Sequence, residues 1–164
     1  MAEILNGKEL AKKMRQNLKL DVDELKKQGI FPKLAVIMVG NDSASQIYVR
    51  NKSKACEEVG IEFEEHLLDE TTTMDELLKL IHTLNEKKEI NGILLQSPIP
   101  KHLDINKAFR EIAPEKDVDG FHPINVGKLS LGQDCFVSCT PYGIVKILEE
   151  YKIPIEGKHC VILR

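Results

Sequence analysis

Three things are missing from this sequence. Its four cysteines, Cys56, Cys135, Cys139 and Cys160, make no C-x-x-C pair and have no histidine at zinc-ligand spacing. Reduced thiols and no metal site are the expectation. No apolar run approaches the roughly 18 residues a membrane span needs, and the opening MAEILNGKELAKKM has no apolar segment of the kind a secretory leader carries. An excess of positive charge is missing as well: 23 lysines and arginines stand against 26 acids, and the net charge of −3 offers no field to a phosphate backbone. A disulfide scaffold, a membrane protein and a nucleic-acid binder are thereby disfavoured, and a soluble, cytoplasmic chain is expected. Repeats and low-complexity segments are absent too.

What is present has globular composition, 42% hydrophobic and 30% charged over 164 residues, enough for one domain with a sizeable core or one domain and part of another. Asn6 and Glu9 resemble a capping box, after which Leu10, Met14, Leu18, Val22 and Leu25 recur at helical spacing as far as Gly29. KLAVIMV, residues 33–39, is a short and almost wholly apolar run between Pro32 and Gly40, which predicts a strand buried on both faces. Ser43 with Gln46 reads as a second capping box and Gly60 as the left-handed stop of the helix it opens. Ile61 to Leu67 alternates loosely, as a strand nearer an edge does. Thr73 and Glu76 cap a helix with Leu77, Leu80, Ile81 and Leu84 inward, and INGILLQ, residues 90–96, is another buried strand stopped by Pro98 and Pro100.

Strand, helix, strand, helix, strand predicts a parallel α/β sheet with right-handed crossovers. Ligands of such sheets sit outside the carboxyl ends of the strands. That rule selects the loop after Val39, which leads into the helix bearing Tyr48 and Lys52, and the segment from Gln96 to Pro100. Tyr48 and Lys52 are four apart, so a ring and an amine point from successive turns at one volume, to which the topology adds Gln96. Spacing alone fits equally a half-buried tyrosine with a snorkelling lysine beside it. Gln96 by itself could as well be a strand-end residue bonded to loop backbone.

Asp104 caps a short helix with Ile105, Ala108, Phe109 and Ile112 inward. PEKDVDGFHPINVGKL, residues 114–129, then holds turn formers and acids but too few apolar residues for a core element, and reads as a long functional loop. Asp117 and Asp119 are either solvated turn residues or, one of them, an acceptor for a planar N–H edge. Thr140 and Pro141 read as N-cap and N1 of a helix with Ile144, Ile147 and Leu148 on one stripe, and GKHCVILR as one more strand. Residues 1–139 are expected to form one domain, and 140–164 to be a linker helix and the first strand of an incomplete second one.

Five separated segments, YVRNKSKACEEVGI (48–61), GILLQSPIP (92–100), PEKDVDGFHPINVGKL (114–129), CTPYGIVKIL (139–148) and GKHCV (157–161), stand in the order and spacing of one family. On these motifs the chain resembles the bifunctional methylenetetrahydrofolate dehydrogenase/methenyltetrahydrofolate cyclohydrolases. The resemblance implies an α/β fold, a three-layer parallel-sheet catalytic domain followed by a truncated Rossmann-like domain. It places the family's catalytic lysine on Lys52, its ring-stacking tyrosine on Tyr48, its lysine-supporting glutamine on Gln96 and its pterin-binding aspartate on Asp119, with Pro98 and Pro100 bordering the substrate. It implies a tetrahydrofolate substrate, NADP or NAD as cofactor, and a homodimer.

The chemistry so implied is hydride transfer from the methylene bridge to NAD(P)+ and hydrolysis of the methenyl cation to 10-formyltetrahydrofolate, assisted by Lys52. An amine whose ordinary pKa lies near 10.4 needs desolvation or a nearby cation to act as base, and a cationic folate intermediate supplies the latter. Ser97 stands where the family has leucine, Ser138 where it has proline, and Leu163 where its nucleotide loop has glycine. Arg164 is the residue left to contact the nucleotide, so little dehydrogenase activity is expected of these 164 residues. Two rival readings are a short-chain dehydrogenase, which also uses Tyr-x-x-x-Lys but needs a glycine-rich turn where this chain has GNDSASQ, and a non-catalytic folate-binding or dimerisation module.

Overall fold

The computed structural model describes residues 4–162. Strand β1 (Lys33–Val39) lies at the centre of a three-stranded parallel sheet, between β2 (Glu62–Leu68) and β3 (Gly92–Leu95). The register pairs Val36 with Glu65 on one side and with Leu94 on the other. Every residue of β3 and the last five of β1 are buried, as apolar runs flanked by proline and glycine predict. β2 and β3 are the edge strands, and the exposure of β2 alternates over its last five residues.

Strand order dictates the layers. From β1 the chain steps one way through α2 (Ser43–Val59) to β2, then crosses back through α3 (Met74–Glu86) to β3. Right-handed crossovers in opposite directions place their helices on opposite faces. Accordingly Val36, Met38 and Leu94 pack with Val49 of α2, whereas Ala35, Ile37, Val39, Ile93 and Leu95 pack with Leu77, Ile81 and Leu84 of α3 and Ala108 of α4 (Ile105–Glu111). Helix α1 (Gly7–Lys27) lies outside α2, joined to it by the Arg15–Glu58 ion pair at 2.8 Å. The result is the expected three-layer α/β architecture. The strand order reverses at β1, so a crevice opens at the carboxyl ends of β1 and β3.

Local signals are met at several points and corrected at others. Thr73 and Glu76 form the reciprocal capping box of α3, and Gly60 ends α2 with φ +83°. The cap of α2 is Asp42 and not Ser43: its carboxylate accepts from Ser45 N at 2.7 Å, a charge-assisted bond that the positive end of the helix favours over a hydroxyl one residue later. Asn6 caps α1 by accepting from Glu9 N, but its own N–H goes to Tyr151 Oη at 2.8 Å, so no reciprocal box forms. Met14 and Leu18, on the same helical stripe, are 43% and 42% exposed, and the buried residues of α1 are Leu10 and Val22.

The segment expected to be loop contains helix α5 (Pro123–Ser130), with Pro123 at N1 and the His122 side chain accepting from Ile124 N as its cap. Its apolar side chains Ile124, Val126 and Leu129 are about half exposed, so it is no core element. Helix α6 runs Cys139–Glu150 with Ser138 at the cap position, two residues before the expected Thr140; Pro141 falls within the first turn, where no N–H is missed. Residues 157–162 form no strand, because no neighbouring strand offers them a ladder; Leu163 and Arg164 lie outside the described residues.

Candidate functional site

Helix α2 starts directly after β1 and runs beside the crevice, so one stripe of it faces the end of β3. Lys52 Nζ donates to Gln96 Oε1 at 2.8 Å. Gln96 is only 8% exposed: its backbone N–H continues the ladder to Ile37 O at 2.8 Å, and its side-chain amide donates to Ser97 O at 2.7 Å. With the amide group spent on Ser97, the carbonyl oxygen is turned toward the lysine, which can only donate or, when neutral, offer a lone pair. The Tyr48 ring lies one turn back, its centroid 5.9 Å from Lys52 Nζ, and is 60% exposed, an open flat face above the amine.

The loop after α4 forms the opposite side. Asp117 and Asp119 have separate environments. Asp117 is buried and accepts from His122 N at 2.8 Å and Asn125 Nδ2 at 2.9 Å, bonds internal to the fold. Asp119 is half-buried and faces Lys52 and Cys139; desolvation pushes its pKa up, the Lys52 charge opposes this and the Asp117 charge adds to it. Of the two acids, Asp119 is therefore the one not committed to the fold's own N–H groups: beside the Cys139 thiol it keeps room to accept a donor edge. Gly92 lets this loop approach β3, since a Cβ there would come within 2.5 Å of Val118 Cγ1.

Sequence reasoning missed Cys139 as a lining residue. Its thiol lies 3.9 Å from Val118 O and beside Asp119, where desolvation first and the Asp119 charge second push its pKa up. The signal lies at the start of the CTPYGIVKIL segment, which served as a family motif and, through Thr140 and Pro141, as a helix cap. Pro98 and Pro100 are brought to the same end of the sheet but line a separate open depression of about 330 Å³ with Asn41, Asp42 and Glu70, to which neither Lys52 nor Tyr48 contributes. A larger hollow of about 590 Å³ lies between α2 and β2, lined by Gln46, Arg50, Ser53, Glu65 and Asp69. It contains none of the residues predicted for chemistry. The Lys52 site is an open cleft face, and its claim rests on converging groups, not on enclosed volume.

A dinucleotide needs a glycine turn after a strand and a helix N-terminus behind it. Residues 157–162 supply neither, so the described residues do not fit such a cofactor, and Arg164 lies outside them.

Residues 5–119 match the family described as tetrahydrofolate dehydrogenase/cyclohydrolase, catalytic domain. The bifunctional protein FolD of Acetivibrio thermocellus is 52% identical over 162 residues, which is 99% of this chain and 57% of that protein. Among solved structures, the bifunctional enzyme FolD of Campylobacter jejuni superposes with a TM-score of 0.91 at 48% identity, over 92% of this chain and 54% of the other. The Trypanosoma brucei methylenetetrahydrofolate dehydrogenase-cyclohydrolase, solved with NADP and an inhibitor, gives 0.92 at 32% identity over 96% and 54%. The chain thus spans a little over half the length of the relatives it matches.

Proposed function

The chain belongs to the tetrahydrofolate dehydrogenase/cyclohydrolase family, and from that premise we propose that its Lys52 cleft binds a tetrahydrofolate and hydrolyses the 5,10-methenyl form to 10-formyltetrahydrofolate. The observation that carries this reading is the hydrogen bond from Lys52 Nζ to the buried Gln96 carbonyl, with the Tyr48 ring on one side and Asp119 on the other. Tyr48 offers its exposed face to the aminobenzoate ring, which sets the one-carbon bridge over the next turn of α2. Asp119 accepts from the amino and ring N–H groups of the pterin, fixing the other end.

Between these anchors Gln96 holds one N–H of the amine, so the lone pair of neutral Lys52 is directed away from the glutamine and toward the bridge. The bound methenyl cation, by its charge, favours that neutral form. Water adds through oxygen to the methenyl carbon while Lys52 takes one of its protons. The carbinolamine then collapses: its hydroxyl proton leaves as the C=O bond forms, the bond from that carbon to N5 breaks, and N5 takes up one proton. Cation plus water thus becomes formyl product plus one proton. No step in this sequence needs a nucleotide.

The whole protein is proposed to couple this step to oxidation of 5,10-methylenetetrahydrofolate, with NADP or NAD as hydride acceptor. The T. brucei relative solved with NADP supports that reading. Residues 1–139 would be the folate-binding catalytic domain and 140–164 the start of the nucleotide-binding one. A homodimer in the cytoplasm is the proposed assembly and location; no helix among the described residues is long and apolar enough to cross a membrane.

Replacement of Lys52 by methionine tests the central claim. Hydrolysis of methenyltetrahydrofolate should fall by at least a hundredfold, the usual scale of a lost acid–base group, while tetrahydrofolate affinity stays within a few-fold. Equal turnover in the variant would remove Lys52 from the chemistry. Binding without turnover in the unmodified protein would favour the folate-binding module.

A further inference from the structure

Asp117 has no role in the mechanism above, yet it is the one fully buried acid among the described residues, at 2% exposure. None of the ion pairs found among those residues includes it. An unpaired buried carboxylate is costly unless hydrogen bonds hold it. Both of its bonds end on Oδ2, from His122 N at 2.8 Å and from Asn125 Nδ2 at 2.9 Å. The same Asn125 amide also donates to Pro114 O at 2.9 Å. The His122 ring is engaged elsewhere: its Nδ1 accepts from Ile124 N, and its Nε2 lies 3.2 Å from Arg110 O.

The backbone around Asp117 is anchored on the other side. Lys116 O accepts from Ile93 N at 2.7 Å, attaching the loop to the free edge of β3. Lys116 Nζ donates to the carbonyls of Leu84, Asn85 and Lys87, at 3.2, 2.6 and 2.8 Å, where α3 ends. Beyond Asp117, Gly120 N returns to Asp117 O at 3.2 Å. Gly120 has φ +68°, and a Cβ there would come within 2.6 Å of Phe136 O, just ahead of α6. The turn from Val118 to Gly120 is therefore clamped between β3, α5 and the approach to α6, and the side chain it presents to the cleft is Asp119.

We infer that Asp117 is a positioning residue of the folate site: its buried carboxylate ties the Val118–Gly120 turn to α5 and so holds Asp119 across the cleft from Lys52. This rests on the folate reading for its purpose, though not for its geometry. The charged and titratable groups facing Asp119 are Lys52 from α2, Asp117 from its own turn and Cys139 from α6. Asp117 therefore acts on Asp119 in two separable ways, through the shape of the turn and through charge.

Because both bonds end on one oxygen, an asparagine carbonyl can accept both, so Asp117→Asn removes the charge and keeps the turn. Asp117→Ala removes both and strands two buried donors. The titration of the Asp119 carboxyl carbon, followed by NMR in the ligand-free chain, and calorimetric binding of tetrahydrofolate are measured side by side. In Asp117→Asn the Asp119 midpoint should move to lower pH and affinity stay within about twofold. In Asp117→Ala affinity should fall at least tenfold with a cooperative melt retained. If that variant does not fold, Asn125→Ala takes its place, with an expected loss of several-fold. An unmoved Asp119 titration in Asp117→Asn, or wild-type affinity in a folded Asp117→Ala or Asn125→Ala, overturns the inference. Failure of the unmodified chain to bind tetrahydrofolate would instead count against the proposed function, and the role of Asp117 would then be decided by the backbone amide shifts of Val118 to Gly120, which Asp117→Ala should displace and Asp117→Asn should largely keep.

Discussion

Two aspartates two positions apart serve opposite ends in this site. Asp117 is satisfied by the fold, whereas Asp119 is kept partly dry beside Lys52 and the Cys139 thiol, where the proposed reading needs an acceptor. Burial raises the pKa of Asp119 above its unfolded value, so the folded state binds the proton more tightly. The associated stability is fully present below the unfolded pKa and is lost as pH rises through the folded one. Asp119→Asn should consequently stabilise the chain near neutral pH, and the gain should vanish below about pH 4, as denaturant titrations at several pH values would reveal. The same change should weaken tetrahydrofolate binding by about ten- to a hundredfold, on the scale of a hydrogen bond to a charged group. Equal stability at both pH values would mean that Asp119 is not desolvated in solution. A site that sacrifices stability for a ready acceptor behaves as expected of function and not of packing.

Among the elements, β3 does most to assemble the site, although it is the shortest strand. Its end supplies Gln96, its edge receives Lys116, and Gly92 leaves room for Val118 against it. A methyl group at position 92 must displace Val118, with Leu34 Cδ1 already 3.3 Å away. Gly92→Ala should cost about 1–3 kcal/mol by overpacking and should lower folate affinity, because the strain relaxes into the Asp119 turn. Chemical denaturation and calorimetry would record both effects. Unchanged affinity alongside the stability loss would show that the turn is braced elsewhere. Helix α2 contributes more simply: capped by Asp42 and stopped by Gly60, it presents Tyr48 and Lys52 from one stripe whatever surrounds it.

At the scale of the whole molecule, the two ends of the described chain meet. Helix α6 packs back on α1 through the Asn6–Tyr151 hydrogen bond and the Lys13–Glu150 ion pair at 2.6 Å, and Gly7 lets Ile147 come close. The residues after it, 157–162, offer no pyrophosphate cradle. These 164 residues on their own should therefore oxidise methylenetetrahydrofolate with NADP or NAD at no more than a trace of the rate shown by a protein with an intact nucleotide domain. A spectrophotometric assay of reduced nucleotide decides this, and near-equal rates would place the nucleotide site within the chain. Methenyl hydrolysis, which needs no nucleotide, is the activity to look for first.

Much of this was legible in the residues, for reasons of range. Caps, glycine stops and apolar periodicity act within a few positions, so β1, α3 and the shared face of Tyr48 and Lys52 follow from the sequence. The strand-end rule extends this to Gln96, because alternating elements with short connections leave few sheet topologies. Competition between neighbours was not legible: Asp42 displaces Ser43 as the cap, and His122 with Pro123 nucleates α5 in an apparent loop. Nor could periodicity decide that the 157–162 run lacks a strand, since a ladder requires a partner and local pattern cannot supply one. What the sequence by itself determined is which side chains share a helix face and that the chain forms a parallel α/β sheet. The tertiary structure alone decided that Asp117 turns into the fold while Asp119 turns toward Lys52, and that Cys139 joins them, because these contacts depend on strand order and loop anchoring across tens of residues.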